Sequence, residues 1–425
     1  LEQFANRGYD VLDKIRALDP SVSLSMSIGI GRGARTLREA QDMAEHALDM
    51  AQGRGGDQAA EMTLDGFTFY GGVSHGVEKR SKVRSRLVAD QLVKLIKEAD
   101  HVVIMGHRMS DLDAIGAAEG VLRICKICDV PAVIAVRRDA TLAASLIDAL
   151  CKAGQKDDFI DPKDALPIIS KRTLCIVVDT YQAGLVESKD ILEKCGKVAV
   201  IDHHRKGVGY IENPALVCHE PYSSSASELV TELLQYVGER DDKPNRVEAE
   251  GLLAGILLDT QDFTLHTGVR TFEAAAALRR YGAETERVRR LFDVTMVEYN
   301  AKADLVEKAQ MYKNCAISIG GEVAPEARVA IAQAANDLLR IQGVDASFVA
   351  VQVGNGVNVS ARSMGAVNVQ VIMESLGGGG HQTMAAAQLK HITPQAARSR
   401  IQDAIDQYYL SQKKTTPEAR PAKGE

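Results

Sequence analysis

The chain is 425 residues long, 45% hydrophobic and 25% charged, which fits a globular protein of two or three domains rather than a disordered or fibrous one. Its net charge of −6 argues against an extended nucleic-acid track, and the lack of Trp with only 4% aromatics argues against a broad base-stacking platform. Seven scattered cysteines point to free thiols in a reducing compartment, and no apolar run reaches the roughly 18 residues that a membrane span needs. Cys125 and Cys128 form a CxxC inside a helix-like run, with no second pair to complete a zinc site. The chain opens at Leu1 within a helical pattern, so it is expected to be a piece of a longer protein.

Residues 1–72 form one compositional unit. A helix-like opening ends at Asp19-Pro20, and an alternating strand is predicted over 22–30, followed by a turn at Gly31-Arg32-Gly33. An amphipathic helix follows over 36–52, and a last strand over 61–70. A basic run at 78–86 leads into a connecting helix ending near Asp100, so 73–100 reads as a linker. From 101 onward, apolar strands at 102–105, 132–136, 174–178 and 198–201 alternate with helices at 112–128, 142–151, 225–237 and 247–258. This alternation predicts an α/β domain over 101–283 built on a doubly wound parallel sheet. A connecting helix over 284–310 leads to a smaller α/β unit at 311–411. That unit has strands at 316–319, 347–353 and 356–360, a helix at 325–342 and a Gly-rich loop at 377–380. The tail, 412–425, is predicted to be disordered.

Four apolar segments end in acid. His107, Asp111 and Asp113 follow the first strand, Asp179 ends the third, Asp202-His203-His204 ends the fourth, and Asp259 closes the last helix-like run. Singly, each has an ordinary role, such as a helix N-cap for Asp111. Paired imidazoles beside an Asp at a strand end have few such roles. Strand ends of an open parallel sheet converge on one crevice, where these hard oxygen and nitrogen donors repel one another unless cations are present. The donor set, free of thiolate, suits two Mn²⁺, with Mg²⁺, Co²⁺ or Fe²⁺ as substitutes. A pair of ions about 3.5–4 Å apart would clamp a phosphoryl group and activate a bridging water. In the C-terminal unit, Arg362 lies between Ser360 and Ser363 at a strand end and presents a fork suited to phosphate.

The motifs His107-x3-Asp111-x-Asp113-Ala114, Val178-Asp179-Thr180, Asp202-His203-His204 and Leu258-Asp259-Thr260 resemble the four motifs of the DHH phosphoesterase superfamily. The last unit, with Gly377-Gly378-Gly379-Gly380-His381, resembles the DHH-associated substrate-binding domain. The resemblance implies that His107, Asp111 and Asp179 hold one ion. Asp113, Asp179, His203 and Asp259 would hold the other, with Asp179 bridging and His204 facing phosphate. It places Asp179, His203 and His204 at the chemistry, and Ser360, Arg362, Gly378, Gly379, Gly380 and His381 against the substrate. The opening unit resembles the C-terminal half of a GGDEF-type nucleotide cyclase domain. The match rests on Ser25-Met26-Ser27-Ile28-Gly29-Ile30 and on a helix carrying Ala44-Glu45-His46-Ala47-Leu48 before a Gly-rich turn. The GGDEF signature itself is absent, so no cyclase activity is expected.

A degenerate GGDEF domain ahead of a DHH unit implies a membrane-anchored cyclic-di-AMP phosphodiesterase that yields linear 5′-pApA. This fragment would then be a soluble, homodimeric part of a protein at the cytoplasmic face of the cell membrane, touching neither lipid nor extended nucleic acid. Two other readings share the motifs. One is a hydrolase of short oligoribonucleotides or 3′-phosphoadenosine-5′-phosphate, and the other is a catalytically silent nucleotide sensor.

Overall fold

The N-terminal segment is built from a helix Val11–Arg16 (α1), a strand Ile28–Gly31 (β1), a helix Leu37–Gly53 (α2) and strands Gln58–Thr63 (β2) and Gly66–Gly71 (β3). Thr36 starts α2: its hydroxyl accepts from the Glu39 N–H, and the Glu39 carboxylate accepts from the Arg35 N–H. Of the strand predicted over 22–30, residues 22 and 23 lie outside the described ones, and among the rest only Ile28–Gly31 is strand, with Gly31 added at its end, pairing parallel with β2. The single strand predicted over 61–70 is instead an antiparallel hairpin, reversing at Leu64-Asp65 ahead of Gly66. Asp-Gly between apolar runs is a hairpin signal, and here it outweighs the apolar continuity. The computed structural model describes residues 9–16, 18, 24–54, 56–71, 82–204, 206, 209–239, 242–322, 329–380 and 383–415. It forms two compact units, Leu1–Phe292 and Asp293–Glu425.

After the connecting helix Lys82–Glu98 (α3), strands His101–Met105 (β4), Ala132–Ala135 (β5), Phe159–Ile160 (β6), Thr173–Val178 (β7), Lys197–Asp202 (β8) and Leu216–His219 (β9) make a six-stranded sheet. The order is β6-β5-β4-β7-β8-β9, and every pair is parallel. The chain runs outward from β4 to one edge and then from β7 to the other, so the switch point lies between these two strands, where open α/β sheets bind ligands. All six residues of β7 are buried, as expected of a strand covered on both faces. The edge strands β6 and β9 were not foreseen: at two and four residues they carry too little pattern.

The helices of this unit that matter to the site are Leu112–Ile127 (α4), Ala226–Leu234 (α5), Arg246–Thr260 (α6) and Val269–Arg280 (α7). Asn245 and Glu248 form a capping box that starts α6. Glu248 also accepts a two-pronged bond from Arg123 of α4, at 2.8 and 2.6 Å. Beside it, burial and then the Glu248 charge push the Glu119 carboxyl up to about 8. The helix predicted over 284–310 is broken into Thr285–Arg290 (α8) and Met296–Glu307 (α9). A second capping box, Thr295 with Glu298, restarts the chain, and the boundary between the two units falls at the break.

The second unit is a mixed six-stranded sheet of Gln310–Tyr312 (β10), Cys315–Glu322 (β11), Ala346–Val353 (β12), Gly356–Ser363 (β13), Gly379–Gly380 (β14) and Met384–Lys390 (β15), in the order β10-β11-β12-β13-β15-β14. Its helices are Val329–Leu338 (α10), Val369–Ser375 (α11) and Pro394–Thr415 (α12). The last one carries helix to Thr415, past the disorder boundary expected at 412, and residues 416–425 of that predicted tail lie outside the described residues. Among the described residues, no helix is long and apolar enough to cross a membrane.

Candidate metal centre

β4 ends two residues before His107. The Nδ1 of His107 lies 2.9 Å from the Arg108 carbonyl, so Nδ1–H donates there and Nε2 keeps its lone pair. That Nε2 is 3.4 Å from Asp179 Oδ2 and 3.8 Å from Asp111 Oδ1. Asp111 also serves as the N-cap of α4, its Oδ1 accepting from the Asp113 and Ala114 N–H groups. Asp111 thus fills the N-cap role weighed for it in the sequence, and the same carboxylate lies in a group that could hold a metal ion.

β7 hands the chain to Asp179, a non-glycine residue in the left-handed region at φ 59°. Asp tolerates this conformation better than most residues, and such strain gathers at functional sites. Its Oδ1 lies 3.4 Å from His203 Nε2, while its Oδ2 faces His107. His203 follows β8, with its Nδ1 3.3 Å from the Ser223 carbonyl. Its Nε2 is 3.0 Å from Asp259 Oδ2, on the last turn of α6, and 3.9 Å from Asp113 Oδ2. Asp113 is fully buried in the first turn of α4, and its two oxygens accept from the Ala226 and Ser227 N–H groups at the start of α5.

Two ligand sets result, His107 with Asp111 and Asp179, and Asp113 with Asp179, His203 and Asp259, each with donor atoms within 4.8 Å of one another. The residues fit divalent cations. With Nδ1–H spent on a carbonyl, His203 Nε2 is an acceptor facing a carboxylate oxygen at 3.0 Å. Two facing acceptors repel unless a proton or a metal ion lies between them. Buried Asp179 Oδ1 and His203 Nε2 have no hydrogen-bond partner, and an unpaired buried polar atom is costly.

The electrostatics agree. Burial, then Asp179 and Asp259, hold the Asp113 carboxyl well above its usual range, and burial likewise raises that of Asp259. Burial opposes charge on Asp179 too, yet His107 and His203 hold it low. The site calls for positive charge that its two ligand imidazoles alone do not supply to all four carboxylates.

His204 belongs to a third grouping, with Asp179 and His203. Its Nδ1 is 2.8 Å from Asp202 Oδ1, which also accepts from the His204 N–H. Asp202 thus orients His204 and is itself fully buried. Sequence reading missed the support beneath the ligands. Glu228 accepts from the Ser223, Ser224 and Thr271 hydroxyls, fixing the turn that presents the Ser223 carbonyl to His203. Ser225-x-x-Glu228 has capping-box spacing, a signal visible in the sequence, and the Ser225 hydroxyl accepts from the Glu228 N–H.

In the second unit, Arg362 on β13 donates through Nη1 to Ser360 Oγ and the Ala361 carbonyl, while its buried Nε has no partner. Burial pulls its guanidinium down to about 10. The run expected as a loop is partly a strand: Gly379 and Gly380 pair with Ala386 and Ala385 of β15. Gly378 admits that approach, since a Cβ there would lie 2.1 Å from the Ala386 oxygen. Arg362 pairs with Met384, one strand from this edge. His381 lies outside the described residues.

Three family descriptions match the chain. They are DHH family, N-terminal domain, over residues 101–256; DHHA1 domain, over 324–410; and cyclic-di-AMP phosphodiesterase GdpP-like, GGDEF domain, over 1–65. The chain is 44% identical over 417 residues to the cyclic-di-AMP phosphodiesterase GdpP of Geobacillus thermodenitrificans (strain NG80-2). It is 41% identical over 421 residues to that of Bacillus subtilis (strain 168). Each match covers 96% of this chain and 63% of the relative, so the chain spans somewhat less than two thirds of those proteins. In fold it is similar to an exopolyphosphatase-related protein from Bacteroides fragilis, with a TM-score of 0.66 at 20% identity, covering 77% of this chain and 98% of that one.

Proposed function

Because this chain belongs to the DHH family and joins DHH and DHHA1 domains to a GdpP-like GGDEF segment, we propose that it hydrolyses cyclic-di-AMP to linear 5′-pApA. The observation that carries this reading is the joining of that N-terminal segment to two ligand sets sharing Asp179. Two Mn²⁺ ions, when bound, would supply Lewis acidity and lower the pKa of coordinated water. His107, Asp111 and Asp179 hold one, and Asp113, Asp179, His203 and Asp259 hold the other.

The remaining work belongs to side chains. Asp202 holds Nδ1 of His204, so a contact of this imidazole with a phosphate oxygen would run through its Nε2 edge. Arg362, with Ser360, Gly378, Gly379, Gly380 and His381, binds the non-scissile phosphate or an adenosine and supplies positioning. The buried Nε of Arg362, without a partner, supports this role, since substrate would satisfy it. The enzyme acts as a homodimer on a cytoplasmic substrate, in keeping with seven free cysteines.

The deciding experiment is a Mn²⁺-supported substrate panel of cyclic-di-AMP, cyclic-di-GMP, pApA and short oligoribonucleotides, resolved by chromatography. Cyclic-di-AMP is expected to be cut fastest, with pApA accumulating. Faster cleavage of pApA or oligoribonucleotides would favour the short-oligonucleotide hydrolase instead. Arg362→Ala is expected to raise KM about 10- to 100-fold, the worth of a charge-assisted hydrogen bond, with kcat little changed. A fall in kcat at constant KM would contradict the positioning role.

A further inference from the structure

Lys206 stands two residues after His204, yet its contacts reach the N-terminal segment. Its backbone N–H donates to the Gly53 carbonyl at 2.9 Å, and its ammonium pairs with Asp49. Both partners lie in the last turns of α2, a helix with no basic residue of its own in its final turn. A helix C-terminus favours a nearby cation and leaves carbonyls to be satisfied. Lys206 supplies both functions from a distant part of the chain. The approach is close enough that a Cβ at Gly53 would sit 2.8 Å from the Lys206 side chain.

The same side chain is sandwiched on its other flank. Its Nζ lies 3.9 Å from the Tyr210 ring centre and 5.1 Å from that of Tyr181, which stands two residues after Asp179. Tyr181 in turn accepts the Ile211 N–H on its carbonyl, tying the loop after β7 to the loop after β8. Only 7% of the Lys206 side chain is exposed. One residue therefore touches both loops that carry the shared ligand and its neighbours, and also clamps them to α2.

We propose that Lys206 is a positioning residue through which the N-terminal segment sets the metal affinity of the phosphoesterase site. A displacement of α2 would then reach Asp179 and His203 without any contact to substrate. The inference rests on the metal-site reading above.

The test is a double-mutant cycle on the Mn²⁺ binding isotherm of the full chain, followed by the electron paramagnetic resonance signal of free Mn²⁺, with thermal melting to confirm folding. Asp49→Asn and Lys206→Met are each expected to weaken Mn²⁺ binding about 5-fold or more, the low end of site-to-site coupling. The double variant is expected to weaken it no further than Lys206→Met alone, because that change already removes the pair with Asp49. Additive shifts would reduce the effect to two independent charges and overturn the proposal. Asp49 is largely exposed, so Asp49→Asn leaves the fold intact, and an unchanged isotherm in that variant alone also overturns it. Failure of the unmodified chain to bind Mn²⁺ would overturn the metal reading and this inference with it.

Discussion

Asp179→Ala is expected to abolish turnover of cyclic-di-AMP and to remove high-affinity Mn²⁺ binding at both centres. The carboxylate turns Oδ2 to the His107 set and Oδ1 to the His203 set, so its loss takes a ligand from each. Metal-centred charge stabilisation is worth several kcal/mol, which corresponds to a loss of about 10³-fold or more in kcat. Retained Mn²⁺-dependent hydrolysis in this variant, measured by release of pApA, would sink the two-centre assignment. The left-handed backbone at Asp179 adds a control. Asp179→Asn keeps the shape and tolerates the same φ, so a similar loss there assigns the effect to charge rather than to the turn.

Arg123→Met is expected to destabilise the first unit by about 3–5 kcal/mol, the cost of leaving a buried carboxylate without its partner. Glu248 is 1% exposed and receives both prongs of the Arg123 guanidinium. It also receives Gln155 Nε2 at 2.9 Å and closes the capping box of α6, the helix that ends at Asp259. Urea unfolding followed by circular dichroism reads the loss as a lower midpoint of that unit's transition. The pair Arg123→Met with Glu248→Gln is expected to recover much of it, because an amide needs no counter-charge and still caps the helix. Equal loss in the single and double variants would show that Arg123 acts through its packing.

Much of this arrangement was legible because parallel strands advertise themselves. β4, β7 and β8 are largely apolar runs, and each is followed within two residues by His107, Asp179 or His203, so the strand ends pointed to these side chains. The second unit's sheet was less legible. Glycine has little intrinsic preference for strands, and Gly379 and Gly380 are strand only because β15 lies alongside. The hold of α5 on Asp113 was invisible for a related reason. Its hydrogen bonds join residues 113 and 114 positions apart, and nothing local encodes which helix start will meet which carboxylate. The break between α8 and α9 was available in Thr295-x-x-Glu298, but the helical periodicity on either side hid it.

If two ions bind as proposed, the two oxygens of Asp179 have a thermodynamic consequence. A carboxylate that faces two centres is a common term in the binding free energy of both. Each cation then alters the affinity for the other by the same factor, as reciprocity requires. No single dissociation constant can describe loading, and the half-loaded protein is a distinct chemical species with its own affinity. The response to divalent-ion concentration would then be a property of the pair, set by one side chain at the end of β7.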